Sequence, residues 1–452
     1  MFDFAIIGAG PAGMSAAISA QELGLKTVLL DDQPSPGGQI YRNVQDSSKD
    51  HILGKDYFAG RDLVQKFLTS GVDYRPNSRV WRVDQDGICL SNTDASQSLT
   101  ATHVLMATGA MERPAPTLGW TLPGVMTAGS AQIMLKTSGL VASDAVFVGS
   151  GPLIYLIVAQ YLRAGVRIKA VLDTTPKGSS IAALRHGGGI PRGMGYLVKG
   201  LGLLNEIRRA GIRNERITDY IFQGDSKLEA IEYHEKGSRK SITCETAFVH
   251  QGVIPAVNAS MSTGCAHVWN EIQTAWQPKA DGFGRTNIDW LRVAGDGAGI
   301  AGAKSAQLTG SLAAIAVASD QGRLKPAELQ RSAADLQRLV RKDGAIRPFL
   351  DQLYRPADGI LAPVDDAVTV CRCELVTRGQ IKAAVSEGCP GPNQMKAFTR
   401  SGMGPCQGRM CGPVVTGIIA DLTLKTPENV GHYRIRSPFR PITVSDLARL
   451  NT

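Results

Sequence analysis

The chain has 452 residues, 43% of them apolar, which at about 100–200 residues per domain leaves room for two or three domains with real cores and excludes disordered and fibrous classes. Fifty glycines beside 6% aromatics fit a fold of tight turns and close backbone crossings, as in α/β nucleotide-binding proteins, and make single-stranded nucleic-acid platforms a poor fit. The net charge of +9 is spread over single lysines and arginines with no block of like charges, so an anionic ligand or partner is expected and nucleic acid is not.

The first fourteen residues are small and apolar enough to pass for a secretion signal. Asp3 is acidic and the first cation is Lys26, so the positive start of such a signal is missing. No stretch offers the about 20 uninterrupted apolar residues of a membrane span. The expected location is the cytoplasm, or at most the periphery of the inner membrane.

Phe4–Ile7 reads as a strand, Gly8-Ala-Gly10-Pro11-Ala12-Gly13 as a glycine loop, and the Ala-rich run to about Leu23 as a helix. Thr27–Leu30 is a second strand ending at Asp31-Asp32, 23 residues after Gly8. Gly8 makes the tight turn, Gly10 admits a pyrophosphate, Gly13 lets the helix pack close, and an acid takes the ribose hydroxyls. The six-residue spacing from Asp31 to Gly37 favours Asp31 as the ribose partner, with Asp32 close behind.

Gly37-Gly38-Gln39 adds backbone amides on the isoalloxazine side. Thr102–Met106 is a strand ending in Ala107-Thr108-Gly109, where small residues let the chain pass a dinucleotide. Trp290–Val293 ends in Ala294-Gly295-Asp296, with Asp296 suited to the ribityl hydroxyls, and a helix over Gln307–Ser319 presents its N-terminus to the pyrophosphate. Together these segments specify an FAD domain over 1–115 and 280–325.

A second unit, over 116–279, begins at Ala145–Val148 with Gly149-Ser-Gly151-Pro-Leu-Ile154 and a strand Ile168–Leu172 ending at Asp173. Ile154 stands where the third glycine belongs, and a branched side chain there spoils the approach of a pyrophosphate. Three states stay open: a nicotinamide site, a site for another adenosine nucleotide, or an empty fold.

The order of these motifs resembles the two-dinucleotide-domain flavoproteins that include glutathione and thioredoxin reductases. Gly109-Ala-Met-Glu-Arg-Pro114 and Gly119-Trp-Thr-Leu-Pro-Gly-Val-Met126 are more specific, and resemble the α (A) subunits of heteromeric opine, hydroxyproline and proline dehydrogenases, relatives of the hydrogen cyanide synthase B subunit. The resemblance implies an α/β fold of two Rossmann-like domains with a small, mostly helical C-terminal domain. The disulfide reductases of the superfamily carry a redox cysteine pair, and residues 33–60 and 149–243 contain no cysteine, so a dithiol mechanism is not expected.

Cys89, Cys244 and Cys265 are isolated, whereas Cys371, Cys373, Cys389, Cys406 and Cys411 crowd together near the end of the chain. Cys371-Arg-Cys373 and Cys406-Gln-Gly-Arg-Met-Cys411 supply four thiolates in two close pairs, as a [2Fe–2S] cluster requires, with Gly402, Gly404, Gly408 and Gly412 freeing amides toward sulfur. A zinc site would more often show CxxC knuckles or a histidine, but it remains an alternative, as does a plain group of thiols. Cys389 lies in a turn sequence and reads as a spare, partly exposed thiol. The segment resembles the bacterioferritin-associated-ferredoxin-like [2Fe–2S] module, also found in anaerobic glycerol-3-phosphate dehydrogenases.

That domain is expected over 364–425. Before it, 326–363 reads as an amphipathic helix with Leu329, Leu336 and Leu339 on one face, then a linker punctuated by Pro and Gly. After it, 426–452 reads as a basic tail lying extended across another surface.

No histidine or carboxylate base stands out beside an anion-binding arginine near the flavin motifs; His186, in Leu184-Arg-His-Gly-Gly-Gly189, is the best lone candidate. The resemblance accounts for this: substrate is oxidised on a flavin-bearing, D-amino-acid-oxidase-like β subunit, a small ferredoxin-like γ subunit is a further partner, and the α chain relays electrons. A second nucleotide is open: FMN at a subunit boundary, ATP or NAD. The competing readings are a self-contained NAD(P)H reductase, which Asp173 keeps in play, and a structural component with degenerate sites.

Overall fold

The computed structural model describes residues 1–92 and 95–450. One five-stranded parallel sheet has the order Leu291–Val293, Ala101–Met106, Phe2–Ile7, Thr27–Leu30, Asp73–Arg75. The C-terminal ends of four of these strands run into the Gly8, Ala107, Gly295 and Asp31 segments, so the crevice outside the strand ends gathers every flavin motif. The helix Pro11–Glu22 crosses Ala303–Asp320 at van der Waals range: a Cβ on Gly310 would lie 2.0 Å from the Ala12 carbonyl oxygen.

A second parallel sheet has the order Arg213–Arg216, Ile168–Asp173, Ala145–Ser150, Ala247–Gln251, Val125–Thr127. The helix Pro152–Arg163 covers one face, and an antiparallel meander of Tyr220–Gln223, Ala230–Glu235 and Ser238–Thr243 covers the other through Phe222, Ile231 and Tyr233. Both faces of each sheet are therefore buried, as parallel sheets require.

The third unit joins the first sheet through one continuous apolar cluster, which also takes in Val80, Val83, Ile88 and Leu90 of the antiparallel strands Arg79–Asp84 and Gly87–Ser91. Ala5, Ile7, Val28, Leu30, Val104 and Val293 belong to one apolar cluster with Val370, Ile381, Val414 and Ile418, with Trp269 and Trp276 of the hairpin His267–Asn270/Ala275–Pro278 in the same cluster. The helix Gly412–Thr423 is buried along most of its length from Val414 to Ala420. The module that carries the clustered cysteines thus shares a core with the flavin sheet.

Several expectations are corrected by packing. The helix Pro326–Gly344 outlasts the apolar stripe read from the sequence; its buried side runs through Leu329 and Ala333, while Leu339 is exposed. The stretch read as a linker holds the helix Arg347–Leu353, and Ile346 and Phe349 are buried against Ala183. The glycine-rich loop of His186 exists for that contact, since a Cβ on Gly189 would lie 1.7 Å from the Ala345 carbonyl oxygen. His186 itself is exposed. Cys389 is 2% exposed, its thiol near the Gly391 carbonyl at 3.5 Å, and is no surface thiol.

The tail folds back on its own chain. Tyr433, Ile435 and Phe439 are buried, the Phe439 N–H donates to the Trp81 carbonyl at 3.0 Å, and Arg440 lies 3.3 Å from Asp32. Among the described residues no helix is long and apolar enough to cross a membrane.

Candidate functional site

The three glycines of the first loop do different work. Gly8 has φ +108° and a Cβ there would stand 2.5 Å from the Ala107 carbonyl oxygen; on Gly13 it would stand 1.9 Å from the Gly8 carbonyl oxygen. These two close the loop on itself. Gly10 has an ordinary φ of −77°, and its Cβ would meet only the Gly38 Cα, at 3.9 Å. Space is left at Gly10 for a ligand, beside the N-terminus of Pro11–Glu22 with Pro11 and Ala12 in its first turn.

The paired acids part company. Asp31 is buried, and each of its oxygens accepts one backbone amide: the Ala9 N–H donates to Oδ2, and the Gln33 N–H donates to Oδ1 at 2.7 Å. Burial pushes its carboxyl pKa up against those two amide donors. Asp32 is exposed, accepts from Gln33 Nε2 at 2.8 Å, and faces Arg440. Asp296 Oδ1 accepts from the Ala301 and Gly302 N–H groups at 2.9 and 2.8 Å, which shapes the loop entering Ala303–Asp320 and leaves Oδ2 outside those bonds. Thr108 Oγ1 donates to the Ala256 carbonyl at 3.0 Å, and Gly109, with φ +68°, has open space around it.

Sequence reasoning missed Lys136. On the helix Ala128–Ser138 and 2% exposed, its ammonium donates to the Gln39 and Ile40 carbonyls at 3.0 and 2.9 Å and to Gln132 Oε1 at 3.0 Å. One acceptor faces each ammonium proton. Burial, and next the Arg42 charge, push its pKa down to about 7. Arg42 Nε is buried without a partner at the same place, an unmatched cationic donor where an anionic cofactor fits. Lys136→Met frees the turn at Gln39 and Ile40 from its anchor and is expected to weaken flavin binding about tenfold, while the orphaned buried carbonyls, at about 1–3 kcal/mol each, lower the stability of apoprotein and holoprotein alike. Flavin titration of the apoprotein checks this, and unchanged affinity would remove Lys136 from the site.

In the second unit Ile154 is wholly buried in the core shared with the first sheet. Asp173 accepts from Tyr155 OH at 3.0 Å and from the Thr175 N–H at 2.8 Å, so it is engaged as Asp31 is. After Asp31 comes a second acid; after Asp173 comes Thr174, which hydrogen-bonds Gln251 at 3.1 Å. Next to Gly149 in register lies His250, buried, its Nδ1 2.7 Å from Glu112 Oε1, while Glu112 Oε2 accepts from the Gly129 N–H at 3.0 Å. The neighbouring Arg113 is buried and donates to the Gln251, Thr274 and Gln273 carbonyls at 2.9, 2.7 and 2.7 Å; desolvation lowers its pKa to about 10. Glu112 and Arg113 of the Ala110–Pro114 segment therefore fasten the first unit to the second.

The four cysteines come together. Cys371 ends the strand Thr369–Cys371, Cys411 caps the helix Gly412–Thr423, and Cys373 and Cys406 lie in the turns between. Cys371 hydrogen-bonds Cys411, and Cys373 hydrogen-bonds Cys406. The bond from Cys411, joined by the amides of Gly402, Glu374 and Cys373, pushes the Cys371 thiol down to about 5, while its partner Cys411 is held well above the usual thiol range. Among the described residues no group of three or more His, Cys, Asp or Glu side chains is placed to hold a metal ion. Two sulfur pairs with amides aimed at sulfur suit a binuclear cluster. Gly404 is required here, since its Cβ would lie 2.3 Å from the Cys373 Cβ. The loop is locked to the rest of the molecule: Asn258 Nδ2 donates to the Gln407 carbonyl at 3.0 Å, and Trp120 Nε1 donates to the Thr369 carbonyl at 2.7 Å.

Comparison with known proteins agrees with this geometry. Residues 2–186 match the pyridine nucleotide-disulphide oxidoreductase family, and residues 369–421 match the BFD-like [2Fe-2S] binding domain. The A subunit of opine oxidase from Agrobacterium tumefaciens (strain Ach5) is 41% identical over 99% of this chain and 92% of its own length. The chain belongs to the family of opine oxidase A subunits. The hydrogen cyanide synthase component HcnB of Pseudomonas aeruginosa is 32% identical over 99% of this chain and 98% of that protein. The L-proline dehydrogenase of P. horikoshii shares the fold with TM-score 0.72 at 18% identity, covering 99% of this chain and 79% of that one. The two family matches imply FAD and a [2Fe–2S] cluster, the latter over residues 369–421, and the relatives make the chain one component of an oxidoreductase.

Proposed function

We propose that this chain is the electron-transferring α subunit of a heteromeric dehydrogenase that oxidises the C–N bond of an opine, hydroxyproline, proline or similar amino acid on a flavin-bearing β subunit. The observation that carries the reading is that one chain fastens a flavin cradle to a four-cysteine site: Arg440 of the tail reaches Asp32, and the two units share a core. FAD takes electrons in pairs and an iron–sulfur cluster passes them singly, which is the conversion such a relay needs.

In this reading the amides at Ala9–Gly13 and the helix start at Pro11 bind the pyrophosphate, Asp296 Oδ2 takes a ribityl hydroxyl, Gly38, Gln39, Ala107, Thr108, Gly109 and Gly295 line the cofactor, and the ribose falls to Asp32, which is exposed where Asp31 is buried beneath the loop. Cys371, Cys373, Cys406 and Cys411 hold the cluster. The self-contained NAD(P)H reductase is disfavoured by Ile154 and by the lack of a second acid after Asp173. Whether FMN, ATP or NAD travels with the complex is answered by mass spectrometry of the ligands it releases.

An exposed apolar stripe on the second unit suits such a partner. Met194, Val198 and Leu201 lie at helical spacing on Ile190–Arg209 and are 50%, 63% and 66% exposed, and Ile181 and Leu184 of the preceding helix are exposed as well. Val198→Glu combined with Leu201→Glu is expected to abolish co-purification with the β subunit while FAD and iron content stay unchanged. The function itself is tested by co-expressing the chain with the products of neighbouring genes and measuring dye reduction with opines, D- and L-proline and hydroxyproline. Robust turnover of any of these amines by the isolated chain would overturn the division of labour.

A further inference from the structure

Tyr433 lies outside the segment that matches the [2Fe-2S] binding domain, yet its ring fills the floor of the cysteine loop. It is 2% exposed. A Cβ on Gly402 would fall 2.6 Å from its Cζ, and Cβ atoms on Gly408 and Gly412 would fall 2.8 and 3.2 Å from its Cδ2, so three glycines of the loop are shaped to this ring. The ring is held from several sides. The Lys396 ammonium lies 4.9 Å from its centroid and donates to the Arg434 carbonyl at 3.1 Å, and Asn393 Oδ1 accepts from the Arg434 N–H at 2.7 Å. The phenol points inward: Tyr433 OH donates to Ser401 Oγ at 3.1 Å, and Ser401, wholly buried, donates to Cys411 Sγ at 3.8 Å.

We propose that Tyr433 and Ser401 form a hydroxyl relay to the Cys411 sulfur that raises the reduction potential of the [2Fe–2S] cluster, so that the C-terminal tail is a working part of the cluster site. Reduction adds negative charge to the cluster and its sulfurs. An O–H donor aimed at one of those sulfurs stabilises the reduced state more than the oxidised one, and hydrogen bonds to sulfur and exclusion of solvent are recognised determinants of cluster potentials. The tyrosine strengthens the serine donor by polarising it, because it gives its own proton to the same oxygen that donates to sulfur. Both residues act through Cys411 and are positioning residues. The inference rests on the cluster reading above.

The test is a redox titration of the full-length holoprotein followed by the paramagnetic signal of the reduced cluster. Tyr433→Phe preserves the shape of the ring and removes only the hydroxyl. It is expected to retain iron and sulfide and to disfavour reduction several-fold, up to about tenfold, which for one electron is a negative shift of up to about 59 mV. Ser401→Ala is expected to shift at least as far, and the double variant less than the sum of the two single shifts, because the tyrosine donates to the serine that donates to sulfur, with a contact of its own hydroxyl to Cys411 beside that path. An unchanged potential in Tyr433→Phe, or additive shifts in the double variant, overturns the relay. Independently, proton hyperfine spectra of the reduced wild type should show a cluster-coupled proton that exchanges in D2O; its absence overturns the relay even if the variants fail to assemble a cluster. A wild-type chain with no iron, sulfide or reduced-state signal would instead refute the cluster reading itself.

Discussion

Replacing any one of Cys371, Cys373, Cys406 or Cys411 with serine is expected to remove the visible absorption of the [2Fe–2S] cluster and its reduced-state paramagnetic signal, with FAD retained. A four-thiolate cluster has no spare ligand among the neighbours, because the fifth cysteine of the region is directed elsewhere: the Cys389 thiol is buried beside the Gly391 carbonyl at 3.5 Å. Cys389→Ser should therefore leave both signals. In the proposed reading the flavin cradle is built from Gly8–Gly13, Asp31 and Asp296, outside the cysteine segment 371–411, so flavin content is the internal control. The two ligand pairs differ in burial. Cys371 and Cys411 are each 1% exposed and belong to the core shared with the flavin sheet, whereas Cys373 is exposed, so the inner pair should lower thermal stability as well and the outer pair much less. Stoichiometric zinc without iron after anaerobic purification, or loss of the cluster in Cys389→Ser, would refute the assignment.

How far the sequence exposed this arrangement depends on whether the determinants are local. Thr27–Leu30 has the bounds that its apolar run implies, and Ile168–Asp173 and Ala145–Ser150 are each within two residues, because buried parallel strands write themselves as short apolar runs ended by glycine or acid. The helix after Asp296 starts at Ala303, four residues ahead of the sequence-based start, since Gly302 with φ +97° ends a loop whose Gly/Ala composition hides where the helix begins. The cysteine spacing already groups the four thiols that meet in space, because each pair is close along the chain.

Features made by distant contacts were not legible. Glu112 and His250 stand 138 residues apart, and Lys136 finds its carbonyls 96 and 97 residues away; a single polar residue in an apolar helix or strand carries no pattern. The surface that the tail crosses was not legible because its residues alternate: Tyr433 and Ile435 face in while Arg434 and Arg436 face out, and the basic ones dominate its composition. Which of Asp31 and Asp32 is drawn inward is set by the Ala9 amide, and spacing alone does not contain that information.

Gly10→Leu is expected to yield a folded, iron-containing chain that has lost stoichiometric FAD. The contrast with its neighbours gives this variant its value. At Gly8 and Gly13 a side chain would strike backbone at 2.5 and 1.9 Å, so substitution there damages the loop whether or not a ligand binds. At Gly10 the backbone is extended with φ −77°, and the nearest atom to a Cβ is 3.9 Å away, so the apoprotein accepts a Cβ there without strain. What cannot accept it is a pyrophosphate lying against the N-terminus of Pro11–Glu22, which needs bare backbone amides at this point. The same flavin titration separates the acids. Asp32→Ala should raise the dissociation constant by removing a ribose acceptor, with the glycine loop intact, whereas Asp31→Ala leaves the Ala9 and Gln33 amides without acceptors and should appear as lost thermal stability even in the absence of flavin. A Gly10→Leu protein that retains one FAD per chain would mean that the cofactor does not pass over this loop, and the whole placement of the flavin would have to move.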